Sequence, residues 1–180
     1  MRRAHSRPAD DAGATLVELI LYGMLSAAFL GILAVLFTTG LGAGAAATER
    51  DEATGKAQLI ATSVQTSIRN ASDFRVDGNV LRARVATGAS EWTCEAWALT
   101  PDGALVHRSS ASAIALPGSY AGWAELAAGV AGRGPGGAPF TASGPSLTLA
   151  LTVTSGEATV PVAGGAFSQA HQDGTASACW

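Results

Sequence analysis

Gly13-Ala14-Thr15-Leu16-Val17-Glu18-Leu19-Ile20 is the stretch on which the reading of this chain turns. A polar leader ends in a glycine, an apolar run starts directly after it, and one carboxylate, Glu18, sits five residues past the glycine. From Leu19 to Ala47 no further charge follows. At about 1.5 Å per residue this is more than enough helix to cross ~30 Å of hydrocarbon. An ionisable group inside such a span costs roughly 2.5–3.5 kcal/mol on insertion scales, so Glu18 calls for a partner. A bland anchor has no use for it.

The two flanks of the run differ in charge. The leader carries Arg2, Arg3 and Arg7, whereas the far side reads Thr48-Glu49-Arg50-Asp51-Glu52-Ala53. The positive-inside bias therefore puts the N-terminus in the cytoplasm and the bulk of the chain outside. A chain of 180 residues has room for one modest domain besides the anchor. Its formal net charge is −3, and loss of residues 1–13, with three Arg and two Asp, leaves −4. There is no basic excess to draw nucleic acid, and no nucleic-acid partner is expected.

Residues 1–13 read as a leader and residues 14–37 as a transmembrane helix. Gly23, Ala27 and Gly31 recur along that helix at a spacing of four. This is either a small-residue stripe for close helix packing in lipid or a by-product of an alanine- and glycine-rich composition. Residues 38–47 hold Gly40, Gly42 and Gly44 and form the weakest part of the helix, since glycine costs up to ~1 kcal/mol in a helix interior. From 48 to 72 the chain turns amphipathic. Ala53, Ala57, Ile60, Val64, Ile68 and Ala71 recur at spacings of three and four, while Arg50, Glu52, Lys56, Gln58 and Arg69 fall off that stripe. This half should lay its apolar face on a globular domain and end near Asn70 to Asp73.

Residues 73–180 read as a strand-rich extracytoplasmic domain. Asp77-Gly78-Asn79, Pro101-Asp102-Gly103 and Ser155-Gly156-Glu157 each separate two strand-like runs and predict hairpins. Leu147, Leu149, Leu151 and Val153 alternate with small polar residues as the clearest strand. Leu81, Ala83 and Val85 alternate with Arg82 and Arg84, which puts the two arginines on a solvated face. Trp92 and Trp97 fall on opposite faces of their strand, with Trp97 toward the core. Ala121 to Val130 is read as a short helix, and Gly132 to Pro145 as a surface loop. The fold class is thus α+β, a long N-terminal helix packed on an antiparallel sheet.

The chain has two cysteines, Cys94 and Cys179. In an exported domain the pair reads as a disulfide, and two buried free thiols are the alternative. The bridge would be worth on the order of 4 kcal/mol in the chain-entropy model and would pin the C-terminus near Cys94. No His or second Cys lies at ligand spacing from either, so no metal site is expected.

Gly13, Thr15, Leu16, Val17, Glu18, Leu19 and Ile20 resemble the N-terminus of type IV pilins and pseudopilins. Ala14 stands where that family usually has Phe or Met, and Asp10 and Asp11 stand where basic residues are commoner. The resemblance implies a pilin-like fold, cleavage after Gly13 by a prepilin peptidase and N-methylation of Ala14. It implies that Glu18 meets the Ala14 amine of a neighbouring subunit, which supplies the partner the carboxylate needs. The implied partners are other pilins or pseudopilins, an inner-membrane assembly platform and membrane lipid. Part of the family's helix loses its structure on assembly. The helix-breaking proline is absent here, and the glycines of 38–47 stand in that region. The layout is also similar, more loosely, to the larger minor pseudopilins of the J and W types.

Signs of chemistry are few. Of the three histidines, His5 lies in the leader, His107 follows a strand and His171 lies near the C-terminus. A Cys94–His107 pair lacks an orienting third group. The glycine runs at 40–44 and 132–137 lack the strand-to-helix context of a phosphate loop. No catalytic residue and no cofactor are expected. The sequence reads as a minor pilin or pseudopilin of a type IV pilus-like or type II secretion-like filament. Two alternatives stand: a secreted binding module released by cleavage near Ala47, and an uncleaved single-pass membrane-anchored adhesin or receptor.

Overall fold

The computed structural model describes residues 15–88, 91–169 and 179–180. The leader, Gly13, Ala14, His5 and His171 lie outside the described residues. The chain divides into two compact units, residues 1–45 and 46–180.

The first unit is the start of helix α1, Leu16–Arg69. Thr15 sits at its cap: the carbonyl accepts the Leu19 N–H at 3.1 Å and Oγ1 accepts the Glu18 N–H at 3.3 Å. Glu18 lies in the first turn, where its charge complements the helix dipole. The most apolar window has a mean hydropathy of 2.4, none of it buried within the chain. By length and composition this segment can cross a membrane. Thr38 and Thr39 return their hydroxyls to the carbonyls of Ala34 and Val35, at 3.1 and 2.8 Å, so neither enters the apolar run with a wasted donor. The helix continues through Gly40, Gly42 and Gly44, and the boundary between the units falls at Ala45–Ala46, inside the weak stretch.

In the second unit α1 buries Ala53, Ala57, Ile60, Val64 and Ile68, the expected stripe without Ala71, because the helix stops at Arg69 and Ala71 is buried as the first residue of a strand instead. On its outer side Lys56 Nζ lies 2.7 Å from Glu52 Oε1, one turn back. The chain passes from Arg69 almost directly into a five-stranded antiparallel meander. Its strands are β1 Ala71–Asp77, β2 Val80–Ala86, β3 Trp92–Leu99, β4 Ala104–Ser110 and β5 Ala124–Ala128, neighbours in that order. A second sheet holds β6 Val130–Gly132, β7 Phe140–Ser143, β8 Ser146–Ser155 and β9 Ala158–Phe167. There β8 pairs along its whole length with β9 and, by its other edge, with β6 and β7. All three predicted hairpins form, as β1–β2, β3–β4 and β8–β9.

One core joins α1 to both sheets. Ile60, Val64 and Ile68 meet Leu81, Trp97 and Leu105 of the first sheet and Leu147, Leu149 and Leu151 of the second. Burying each large apolar side chain contributes roughly 1.5–3 kcal/mol. Trp97 is fully buried, and its indole N–H donates to Ser63 Oγ at 3.1 Å, so the core's largest side chain leaves no polar atom stranded. The end of β9 is tied back to the helix exit, where Ser168 Oγ donates to the Ala71 carbonyl at 2.6 Å.

Three expectations change. Residues 121–130 form no helix; β5 occupies Ala124–Ala128, with Ala127 buried opposite Leu105. Gly122 and Gly129 bracket a stretch too short to nucleate a helix, and pairing with β4 outweighs its helical composition. Gly129 also marks the passage between sheets: its φ is +71° and its Cα lies against the Thr154 carbonyl, leaving no room for a side chain. Residues 132–145 are only partly loop, because β7 adds to β8 through a Gly144-Pro145 turn and buries Phe140. Arg82, expected in solvent, is only 5% exposed.

Candidate functional site

The anchor helix carries the residues singled out in the sequence. Glu18 is exposed, and its Oε1 accepts the Tyr22 hydroxyl at 3.1 Å, an i,i+4 contact. A carboxylate has about four acceptor positions, so one O–H leaves most of its capacity open. Gly23, Ala27 and Gly31 are exposed, and a Cβ on Gly23 or Gly31 would meet nothing within 4 Å. The chain's own packing therefore makes no demand for small residues there. At about 100° per residue, Ala27 falls about 180° around the helix from Glu18. The carboxylate and the small-residue stripe thus lie on opposite sides of the helix.

A polar seam lines the junction of α1 with the first sheet. Ser67 Oγ donates to Glu95 Oε2 at 2.6 Å, and His107 Nε2 stands 3.8 Å from the same carboxylate oxygen, beyond hydrogen-bonding distance. His107 also packs on Trp97, with ring centroids 5.1 Å apart. Burial pushes the Glu95 carboxyl up, but His107 and Ser67 outweigh it and hold the group below the usual carboxylate range. The Ser67 hydroxyl is spent on the carboxylate rather than on the imidazole, so His107 is not placed to act on it as a base. Cys94 is far from any such role: it packs with Ile114 on the other face of the sheet and is bonded to Cys179, with Cα atoms 5.4 Å apart.

That other face is where Arg82 is buried. Its Nη2 bonds Asp77 Oδ2 at 2.5 Å, its Nη1 donates to the Ile114 carbonyl at 3.0 Å, and its guanidinium lies 5.8 Å from the Trp180 ring centre. Burial raises the Asp77 carboxyl, yet the hydrogen bond and charge of Arg82, helped by Arg75, bring it below its ordinary value. Arg84 stays partly exposed and stacks on Trp92, 4.3 Å from the ring centre. The disulfide, Trp180 and Ile114 thus close over one end of the first sheet.

A further contact lies at the start of the second unit. Glu49 Oε2 accepts the Glu157 backbone N–H at 2.9 Å, and the Glu49 carboxylate fills the space beside Gly156. The Glu52 carboxyl next to it is held below its usual range by Lys56 and then by Ser155. Sequence reading treated Glu49 and Glu52 as an ordinary charged flank. Nothing in the local sequence marks this contact, because its partner lies far along the chain.

No group of three or more His, Cys, Asp or Glu residues converges to hold a metal among the described residues. No protein-family model, curated protein or solved structure matches this chain.

Proposed function

We propose that this chain is a structural subunit, a minor pilin or pseudopilin, of a type IV pilus-like or type II secretion-like filament. The order of elements, a long N-terminal helix that begins apolar and has an amphipathic half packed on antiparallel sheet, supports this reading. The observation that carries it is Glu18, the one charge between Thr15 and Thr48, held in the first turn of a wholly exposed apolar helix. In this reading a prepilin peptidase cuts after Gly13 and Ala14 is methylated. The subunit waits in the cytoplasmic membrane with its second unit outside. On assembly, Glu18 pairs with the Ala14 amine of one neighbour while the Gly23–Ala27–Gly31 face takes the close approach of another. Pairing in low dielectric offsets the cost of the buried charge and fixes the register between subunits. Assembly is its activity, with other pilins, the membrane platform and lipid as its partners.

Glu18→Ala tests the assignment. Membrane insertion should be unchanged or improved, because a charge leaves the apolar span. Incorporation into filaments should fall by an order of magnitude or more. Normal incorporation of the variant would remove the role given to Glu18.

One observation favours a second reading. The boundary at Ala45–Ala46 falls where a secreted module cut near Ala47 would begin, and residues 46–180 contain their own core.

A further inference from the structure

The segment between β4 and β5, residues 111–123, runs for thirteen residues without regular structure. Unstructured connections of about this length are uncommon in compact domains and usually have a function. This one is held at two points. At its start, Ile114 is buried, its N–H donates to the Cys179 carbonyl at 3.0 Å and its carbonyl accepts Arg82. At its end, Tyr120 and Trp123 meet edge to face at 5.7 Å and pack on Val80, Ala98, Ala104 and Val106. Between the two points the chain arches away from the sheet and leaves a cleft of about 620 Å³. That is the size of a small-molecule site.

The lining of the cleft is chemically specific. Arg108 is its sole charged residue, and residues 111–123 carry no charge at all. No ion pair or side-chain hydrogen bond among the described residues engages the Arg108 guanidinium. Trp123, Leu116, Pro117 and Ser119 are also among the residues that line it. A guanidinium takes a carboxylate in a bidentate fork. An indole gives a ring bearing C–H groups an apolar surface to pack on, and polar groups suit hydroxyls.

We propose that this cleft is a binding site for a carboxylate-bearing saccharide of the uronic acid type. Arg108 takes the carboxylate, and the sugar ring lies against Trp123. The disulfide contributes through Cys179, whose carbonyl fixes Ile114 and hence the arch. The site is independent of how the chain is processed or assembled.

The test uses the full chain in detergent micelles, titrated calorimetrically with a short oligo-glucuronate, with a neutral gluco-oligosaccharide of the same length and with acetate. The oligo-glucuronate should saturate, and the neutral sugar and acetate should each bind at least tenfold more weakly. Arg108→Gln should weaken oligo-glucuronate binding tenfold or more. Leu116→Glu, which adds to the lining a negative charge that repels the carboxylate, should do the same. Both variants alter exposed side chains, and an unchanged thermal midpoint would show that the fold persists. Absence of saturable binding at millimolar oligo-glucuronate would overturn the proposal. So would equal binding by acetate, which marks a bare anion site, or unchanged binding by Arg108→Gln.

Discussion

The Glu49 carboxylate accepts the backbone N–H of Glu157, 108 residues along the chain, and sits in the space that a side chain on Gly156 would take. This contact ties the β8–β9 hairpin to α1 three residues past the boundary between the two units. It gives the amphipathic half of the helix a fixed point just beyond its glycine-rich stretch.

Two glycines separate the steric effect from the conformational one. Gly78 and Gly156 have similar positive φ values, +61° and +55°, but only Gly156 faces Glu49. Gly78→Ala should cost roughly 1–2 kcal/mol from the left-handed backbone alone. Gly156→Ala should cost about 0.5–1 kcal/mol more, because the Glu49 carboxylate must swing aside and give up its bond to the Glu157 N–H. Adding Glu49→Ala to Gly156→Ala should shrink that excess. Denaturant unfolding of the three variants measures both effects, and equal costs for the two glycines would remove the clamp.

Reducing the disulfide should loosen one end of the first sheet. Cys94 and Cys179 close a loop with a sequence separation of 85, and the loss of such a constraint typically costs about 2–5 kcal/mol. Cys94→Ser should lower the thermal midpoint as much as reductant lowers it for the native chain. Reductant should then have no further effect on the variant.

Arg82 and Arg84 are neighbours on one strand with opposite fates. Arg82→Ala leaves the Ile114 carbonyl without its donor and the partly buried Asp77 with Arg75 alone, and should cost roughly 3 kcal/mol. Arg84→Ala gives up a stack on a partly exposed Trp92, worth about 0.5–1 kcal/mol. Chemical unfolding of the two variants should keep that order, and equal losses would contradict the burial of Arg82.

Acid should destabilise the second unit through Asp77 and Glu95. Both carboxyls lie below their ordinary values in the folded chain. Their contribution is complete above the unfolded values, roughly 3.9 for Asp and 4.3 for Glu, and is lost as pH falls through the lower folded values. Unfolding free energy measured from pH 7 to pH 3 should drop below about pH 5. Asp77→Asn should be less stable at neutral pH and show a shallower drop. An identical slope in the variant would show that Asp77 contributes nothing to the acid sensitivity.

Much of the fold can be read in the sequence because its signals are local. The stripe Ala53, Ala57, Ile60, Val64 and Ile68 repeats at helical spacing, and the glycine turns at 78, 103 and 156 sit between alternating runs. What escaped sequence reading depends on partners far along the chain. Alternation places Arg82 on the outer face of its strand, but only the distant Ile114, Cys179 and Trp180 decide that this face is covered. Residues 124–128 are helical in composition, and only β4 beside them makes a strand. The anchor carboxylate Glu18 was visible as an anomaly of charge in an apolar run. The Glu95–His107–Ser67 seam was not, since each member falls on a different element and none is unusual alone.

The central claim, a subunit processed as a prepilin, is tested most directly by the mass of the mature N-terminal peptide from membranes of the native organism. The account predicts a chain that starts at Ala14 with one added methyl group. A start at Thr48 would contradict it and make residues 48–180 a secreted module. An intact Met1 in native membranes would contradict it equally and leave an uncleaved anchor.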